Sequence, residues 1–372
     1  MTPALPARPR ILVVALRRLG DVLLTTPLIR SLRRAWPDAA LDALVFADTA
    51  GILAGNPDID RIVAMPPRPR AGESLALAAR LARRYDLAVS TQGGDRPTFF
   101  AVLAGRTSLA PVGASILMDR VKRALVTQAV PPAAGLHRVE EMLRLADSLG
   151  VARVPEVVAP MGETRPGLVP DAPYAVLHPS PMFRYKQWSQ DGWRNLAAAL
   201  VARGLGVLVT GGPAPAERAY LDGLFANAPE VTRRDGALAW HEIAALIGRA
   251  QVFVGPDTSV THLAAATGAP TVALFGPTDP RLWGPWPKGG LLQPWDAAGT
   301  VQRRGNVWLV QNPLPCLPCQ QEGCDRRRDS HSRCLDELSP GAVIAAVSRA
   351  LENGSSSAKT APGGMDPPTM AR

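Results

Sequence analysis

The chain has 372 residues, 47% of them hydrophobic, four cysteines and a net charge of +9, which is too long for one ordinary core and suits two domains. No apolar stretch approaches the ~20 residues of a membrane-spanning helix, and no helix-turn-helix, zinc finger or aromatic-interleaved basic motif supports a nucleic-acid partner. The positive charge then favours other anionic partners, a phosphorylated substrate or a membrane surface above all.

MTPALPARPR opens the chain without the apolar centre of a signal peptide, so a cytoplasmic protein is expected. ILVVAL (11–16) reads as a short buried strand running towards Gly20, with a helix behind it over 25–36. Strand, glycine and helix N-terminus together are where many α/β proteins hold a phosphate. The residue after the glycine is nevertheless an acid, Asp21, which would repel one; its bland reading is a helix N-cap. LDALVFA, RIVAM and LAVSTQ follow as strands, with a helical run over 74–84 before the last. This alternation indicates a parallel sheet covered by helices. Arg17, Arg18, Arg30, Arg33 and Arg34 surround the opening helix, and Arg96 follows Gly93-Gly94-Asp95. Of these, Arg17, Arg18 and Arg96 are candidates for binding an anionic acceptor through bidentate guanidinium contacts. Arg33 and Arg34 read as residues of the helix's solvated side.

Near residue 160 the pattern breaks at VPEVVAPMGETRPGLVPDAP, a Pro- and Gly-rich stretch expected to join a domain of 1–160 to one of 171–352. The second half then repeats the scheme. AVLHPS, GVLVTGG, QVFVG and TVALFG read as strands, with helices over 190–202, 216–225 and 258–267. Two doubly wound α/β domains are expected, with the site in the cleft beyond the carboxyl ends of the strands. Ser180, Arg184 and Lys186 lie beyond the first of these strands and suit a diphosphate. Glu217 follows the permissive Gly211-Gly212 and is able to hydrogen-bond a ribose. In VGPDTSVTHL, Asp257 reads as the cap of the next helix, Thr258, Ser259 and Thr261 fill its first turn, and His262 lies one turn in. Free N–H groups and the helix dipole make this an anion site. No loop is GxGxxG, which argues against a nicotinamide-dependent oxidoreductase.

Cys316-x2-Cys319-x4-Cys324-x9-Cys334 has the ligand types and compact spacing of a closed, structural four-thiolate metal site, with His331 as a spare ligand. The other reading is a set of reduced cysteines, or a cytosolic redox pair, in a loop near the hinge. The final stretch, 353–372, is rich in Ser, Pro and Gly and is expected to be disordered.

RLGDVLLTTPLIRSLR near the N-terminus and PDTSVTHLAAATGAPTVALFGPTDP near residue 260, in this order, resemble family 9 glycosyltransferases, the ADP-heptose:lipopolysaccharide heptosyltransferases. The resemblance covers most of residues 10–350. YDLAVSTQGGDR and PCLPCQQEGCDRRRDSHSRCLDEL are similar to the lipopolysaccharide heptosyltransferase III branch. The resemblance implies a GT-B fold, two Rossmann-like doubly wound domains facing a central cleft, with the acceptor on the first and the nucleotide sugar on the second. It implies an inverting transfer of heptose from ADP-heptose to the lipopolysaccharide inner core, with no cofactor required for transfer. It also supplies a reason for the acid. Asp21 would be the general base that takes the acceptor's proton, kept ionised and oriented by the helix N-terminus. Asp257, Thr258, Ser259, His262 and Lys186 would hold the donor's diphosphate, with Ser180 and Glu217 as further donor contacts. At Ser259 many family members have glycine, which puts a direct backbone contact there in doubt. A lipid-linked acceptor would bring the enzyme to the cytoplasmic face of the inner membrane as a peripheral protein. The alternatives are a non-catalytic α/β nucleotide-binding module, or a family 9 transferase using a different sugar or a protein acceptor.

Overall fold

The computed structural model describes residues 5–114, 116–236 and 238–358. Two sheets organise the chain. The first holds β1 (Arg10–Ala15), β2 (Ala40–Phe46), β3 (Arg61–Met65), β4 (Tyr85–Ser90), β5 (Gly105–Pro111) and β6 (Gln128–Val130), in the order β3-β2-β1-β4-β5-β6 and all parallel. The second holds β7 (Tyr174–Leu177), β8 (Gly206–Val209), β9 (Val231–Arg233), β10 (Val252–Pro256), β11 (Thr271–Leu274), β12 (Val301–Arg304) and β13 (Val307–Val310). Its order is β12-β13-β11-β10-β7-β8-β9, parallel except for the β12–β13 hairpin at one edge.

The central strands are apolar on both faces because helices cover both. Ile11, Leu12, Val13 and Val14 of β1 are wholly buried, as the strand of a sheet enclosed on two sides must be. Ile11 and Val13 join a cluster with Leu28 and Leu32 on one face, while Leu12 and Val14 join one with Leu81 and Phe100 on the other. In each sheet the chain reverses its direction of travel next to the first strand, between β1 and β4 and between β7 and β10. Crevices open at such points beyond the carboxyl ends of the strands. Asp21 follows β1, Ser180 follows β7 and Asp257 follows β10, so all three come to the two crevices.

Residues 154–173 contain neither helix nor strand. They lie against the first half, where the backbone N–H groups of Val154 and Val158 donate to the hydroxyls of Ser31 and Thr26, both at 2.9 Å. A third apolar cluster crosses between the halves. It joins Val22, Leu23, Ile52 and Leu143 of the first to Ala244, Leu263, Ala266 and Trp286 of the second. The C-terminal helix, Pro340–Ala358, runs several residues into the stretch expected to be a disordered tail; residues 359–372 lie outside the described residues.

Candidate functional site

A cleft of about 1040 Å³ lies between the two halves. Its walls include Arg18 and Asp21 of the first half, and Ser180, Lys186, Glu217, Asp257, Thr258, Ser259 and His262 of the second. Residues from four separate stretches of sequence are thereby brought together.

On the first wall, β1 ends at Ala15 and a short helix, Leu19–Leu23, begins almost at once. Arg18 is its N-cap and Asp21 sits within the first turn, so the N-cap reading of Asp21 does not hold. The carboxylate is largely buried. Its Oδ1 lies 3.2 Å from Nε of Arg17 and 3.3 Å from Nε of Arg138. Neither approach has the alignment of a hydrogen bond, and Oδ1 accepts none from the described residues. Asp21 is therefore flanked by two cations while retaining an unengaged acceptor lone pair. Arg138 is itself fixed, since its Nη1 donates to Glu141 Oε2 at 2.9 Å and its Nη2 to the Thr91 carbonyl at 3.2 Å.

The three arginines proposed for acceptor binding separate. Arg18 lines the cleft, with its guanidinium 5.5 Å from the Phe183 ring centroid. Arg17 is not among the lining residues and pairs with Asp21 instead. Arg96 is exposed, away from the cleft walls, and donates to the Pro67 carbonyl at 3.3 Å. Arg33, expected on a solvated face, instead ties the opening helix to Asp60 at 2.7 Å.

On the opposite wall, β10 leads into the helix Ser259–Thr267. Gly255 permits this turn, because a Cβ there would stand 2.9 Å from Thr261 Oγ1 and 2.8 Å from the Phe253 ring. The cap is Thr258, whose hydroxyl accepts from Thr261 N–H at 3.3 Å, and not Asp257 as the sequence suggests. Asp257 is engaged elsewhere, accepting from Lys186 Nζ at 2.5 Å. Burial alone would raise its pKa, but the adjacent Lys186 and His262 outweigh burial and hold it below the usual carboxylate range. The backbone N–H groups of Ser259 and Val260 have no acceptor among the described residues and open onto the cleft, a partial positive charge facing the space. His262 is buried, its Nδ1 without a hydrogen-bond partner. Burial lowers its pKa despite Asp257 and Asp21 nearby, so at neutral pH it offers a neutral ring able to donate one hydrogen bond.

The two walls meet closely. A Cβ on Gly20 would lie 3.8 Å from His262 Cδ2 and 3.8 Å from Ser259 Cα. The acid of one half and the anion-facing helix of the other therefore border one space.

Deeper in the second half, buried His178 pairs through Nδ1 with the Thr210 hydroxyl at 3.0 Å. Its pKa is pushed down to about 4, chiefly by burial. Glu217 lies against Gly212, where a Cβ would clash with its Oε2. Sequence reasoning missed Arg138, His178 and Thr210. The first lies in LHRVEEM, a helix start with no local sign of a partner across the domain. His178, near the end of the AVLHPS stretch, was the one visible signal.

The four cysteines form no disulfide. The Cys334 thiol is pushed up to about 12 by its own burial first and then by the charges of Cys319, Cys324 and Cys316. The thiols thus sense one another, yet among the described residues no three Cys, His, Asp or Glu side chains converge as metal ligands do. Cys334 is buried in the helix Arg333–Asp336, whereas Cys316 and Cys324 are exposed. His331 turns to Asp325 at 3.9 Å. The same segment does reach the cleft, through Gln320, Gln321 and Glu322, and its Arg328 lies 5.4 Å from the Phe183 ring centroid.

Two doubly wound sheets facing a cleft that pairs a carboxylate with an anion-seeking helix end define a GT-B architecture. The family model described as glycosyltransferase family 9 (heptosyltransferase) matches residues 75–290, and the chain belongs to this family. It is 30% identical over 345 residues to lipopolysaccharide heptosyltransferase 1 of Pseudomonas aeruginosa, covering 88% of this chain and 91% of that protein. It is 29% identical over 349 residues to lipopolysaccharide heptosyltransferase 3 of Escherichia coli, covering 89% and 96%. Among solved structures, an E. coli heptosyltransferase with ADP is 22% identical and superposes with a TM-score of 0.71, covering 92% of this chain and 99% of that one.

Proposed function

We propose that this glycosyltransferase moves a heptose from ADP-heptose to the inner core of a lipid-linked lipopolysaccharide acceptor, inverting the anomeric centre. The relatives' names support the sugar and the acceptor class, and the E. coli structure with ADP supports the nucleotide. The observation that carries the chemistry is Asp21 facing the Ser259–Thr267 helix end across the cleft.

In this reading the diphosphate rests on the Ser259 and Val260 N–H groups, the Thr258 hydroxyl, Lys186 and the His262 ring. Ser180 and Glu217 contact the rest of the nucleotide sugar. The acceptor hydroxyl enters from the first half, beside Asp21. Asp21 takes its proton as the oxygen attacks the anomeric carbon from the face opposite the phosphate. The new glycosidic bond forms while the bond to the β-phosphate oxygen breaks, and ADP leaves with the negative charge. Lys186 and the helix end stabilise that charge where it grows, the part a bound metal plays in other transferases. Transfer without a required cofactor is accordingly part of the proposal. No helix among the described residues is long and apolar enough to cross a membrane. The enzyme is proposed to act in the cytoplasm, reaching its acceptor as a peripheral protein of the inner membrane.

The test is ADP release from ADP-heptose with a heptose-deficient core acceptor, run beside other ADP-sugars. Preference for a different sugar would replace the donor assignment. ADP binding without release from any of them would leave a non-catalytic nucleotide-binding module.

A further inference from the structure

The helix Leu117–Leu125 is built inside out. Its only buried residue is Lys122, 4% exposed, while Leu117 is 78% and Leu125 47% exposed. At about 100° per residue, Leu117, Met118, Val121, Ala124 and Leu125 share one face, and Asp119 and Lys122 lie on the other. The polar side is the one that holds the helix to the protein. Lys122 Nζ donates to the Gly93 carbonyl at 2.7 Å and pairs with Asp119 at 2.8 Å and Asp95 at 3.1 Å. The apolar side has no described partner. Ile116, at the N-cap, is exposed beside it, and the adjoining helix Asp95–Ala104 exposes Phe99 and Leu103. Single exposed apolar residues need no explanation, but a continuous face of them does.

We propose that this helix is the element by which the protein docks on an anionic membrane surface, its apolar face entering the headgroup–acyl boundary. The inference deepens the proposed function and rests on its lipid-linked acceptor. Charge complementarity favours lipid over a second copy of the chain. Arg120 is exposed on the flank of the apolar face, as on a helix lying in a bilayer interface, where a basic residue adds attraction to anionic lipid. Position favours it as well. The helix follows β5 and precedes β6, whose residues pair with the carboxyl end of β5. It is clamped to the Gly93 loop, which follows β4, the neighbour of β1. Asp21 follows that same end of β1, so docking here would present a membrane-embedded acceptor to the first wall of the cleft.

The experiment compares the wild-type protein with L117S/V121S/L125S and with Arg120→Gln on vesicles of phosphatidylglycerol and phosphatidylethanolamine, and on phosphatidylcholine vesicles. These side chains are exposed, so stability should barely change, which thermal melting verifies. The triple variant is expected to lose about tenfold or more in partitioning to the anionic vesicles, and R120Q a smaller factor that disappears at high salt. Transfer to a deacylated, water-soluble core acceptor should stay within about twofold of wild type, because no residue of the helix is among those that line the cleft. Unchanged vesicle binding by the triple variant overturns the proposal. So does a wild-type dimer that the triple variant converts to monomer, since the face would then belong to a second copy. If the wild-type protein transfers no sugar to either acceptor yet binds vesicles through this helix, the transferase reading fails and the docking surface stands.

Discussion

Oδ1 of Asp21 lies 3.3 Å from Nε of Arg138, and both side chains are nearly buried. Because Arg138 is also anchored on Glu141 and Thr91, it acts as a fixed post against which the carboxylate is oriented. Removing Arg138 leaves the buried carboxylate with Arg17 alone, 3.2 Å away and more exposed. Arg138→Leu is therefore expected to lower the unfolding free energy, but by less than the about 3–5 kcal/mol of a buried charge left with no partner. The double variant with Asp21→Asn should lose less than the sum of the two single variants, a non-additivity that denaturant titration of the four proteins measures.

For catalysis the same carboxylate should matter without mattering for the nucleotide. Asp21→Asn is expected to lower turnover by roughly 10²–10⁴-fold, the range for a lost general base. ADP affinity by calorimetry should be unchanged. Near-normal turnover would remove Asp21 from the proton transfer.

Lys186 holds Asp257 at 2.5 Å and also serves the proposed diphosphate. Lys186→Ala should weaken ADP by about 1–3 kcal/mol, the scale of a charged hydrogen bond. The variant should also melt earlier, since Asp257 is then buried without its cation. Equal ADP affinity in the variant would place the diphosphate elsewhere.

The buried histidines set a pH dependence of stability. Burial pushes His137 and His178 down to about 4 and lowers His262 as well, from an ordinary value of 6.5. Between pH 6.5 and 4 the unfolded chain therefore binds more protons than the folded one. Stability falls as pH drops through that window and is independent of these groups above it. Melting temperature against pH should show the decline beginning just below 7. His137→Gln, at a residue that does not itself line the cleft, should flatten it; an unchanged slope would show that carboxylates alone cause the loss.

The alternation of apolar runs and turns makes both sheets legible in the sequence, and β1, β2, β3, β4, β7, β8, β10 and β11 fall where those runs stand. Other strands are not legible. β6 and β9 have three residues each, too few for a periodic signal, and β5 (GRTSLAP) mixes polar residues and a proline into its run. In the site, DTSVTH and RLGD announce themselves because strand, turn and helix N-terminus are local patterns. Arg138 does not, because its role arises only when the helix after β6 is laid beside β1. Thr258 displaces Asp257 as the cap for a similar reason. Its hydroxyl reaches Thr261, while Lys186, distant in sequence, claims the acid.

The apolar cluster that joins Leu23, Ile52 and Leu143 to Leu263, Ala266 and Trp286 has a consequence for how the molecule comes apart. Two domains touching only through polar surfaces would melt independently, giving two calorimetric transitions. Here neither half can unfold without exposing side chains that the other half buries, so their melting is coupled. A single endotherm is expected, its calorimetric and van't Hoff enthalpies approaching each other. Trp286→Ala, which removes the largest shared side chain, should cost about 3–5 kcal/mol and split that endotherm in two.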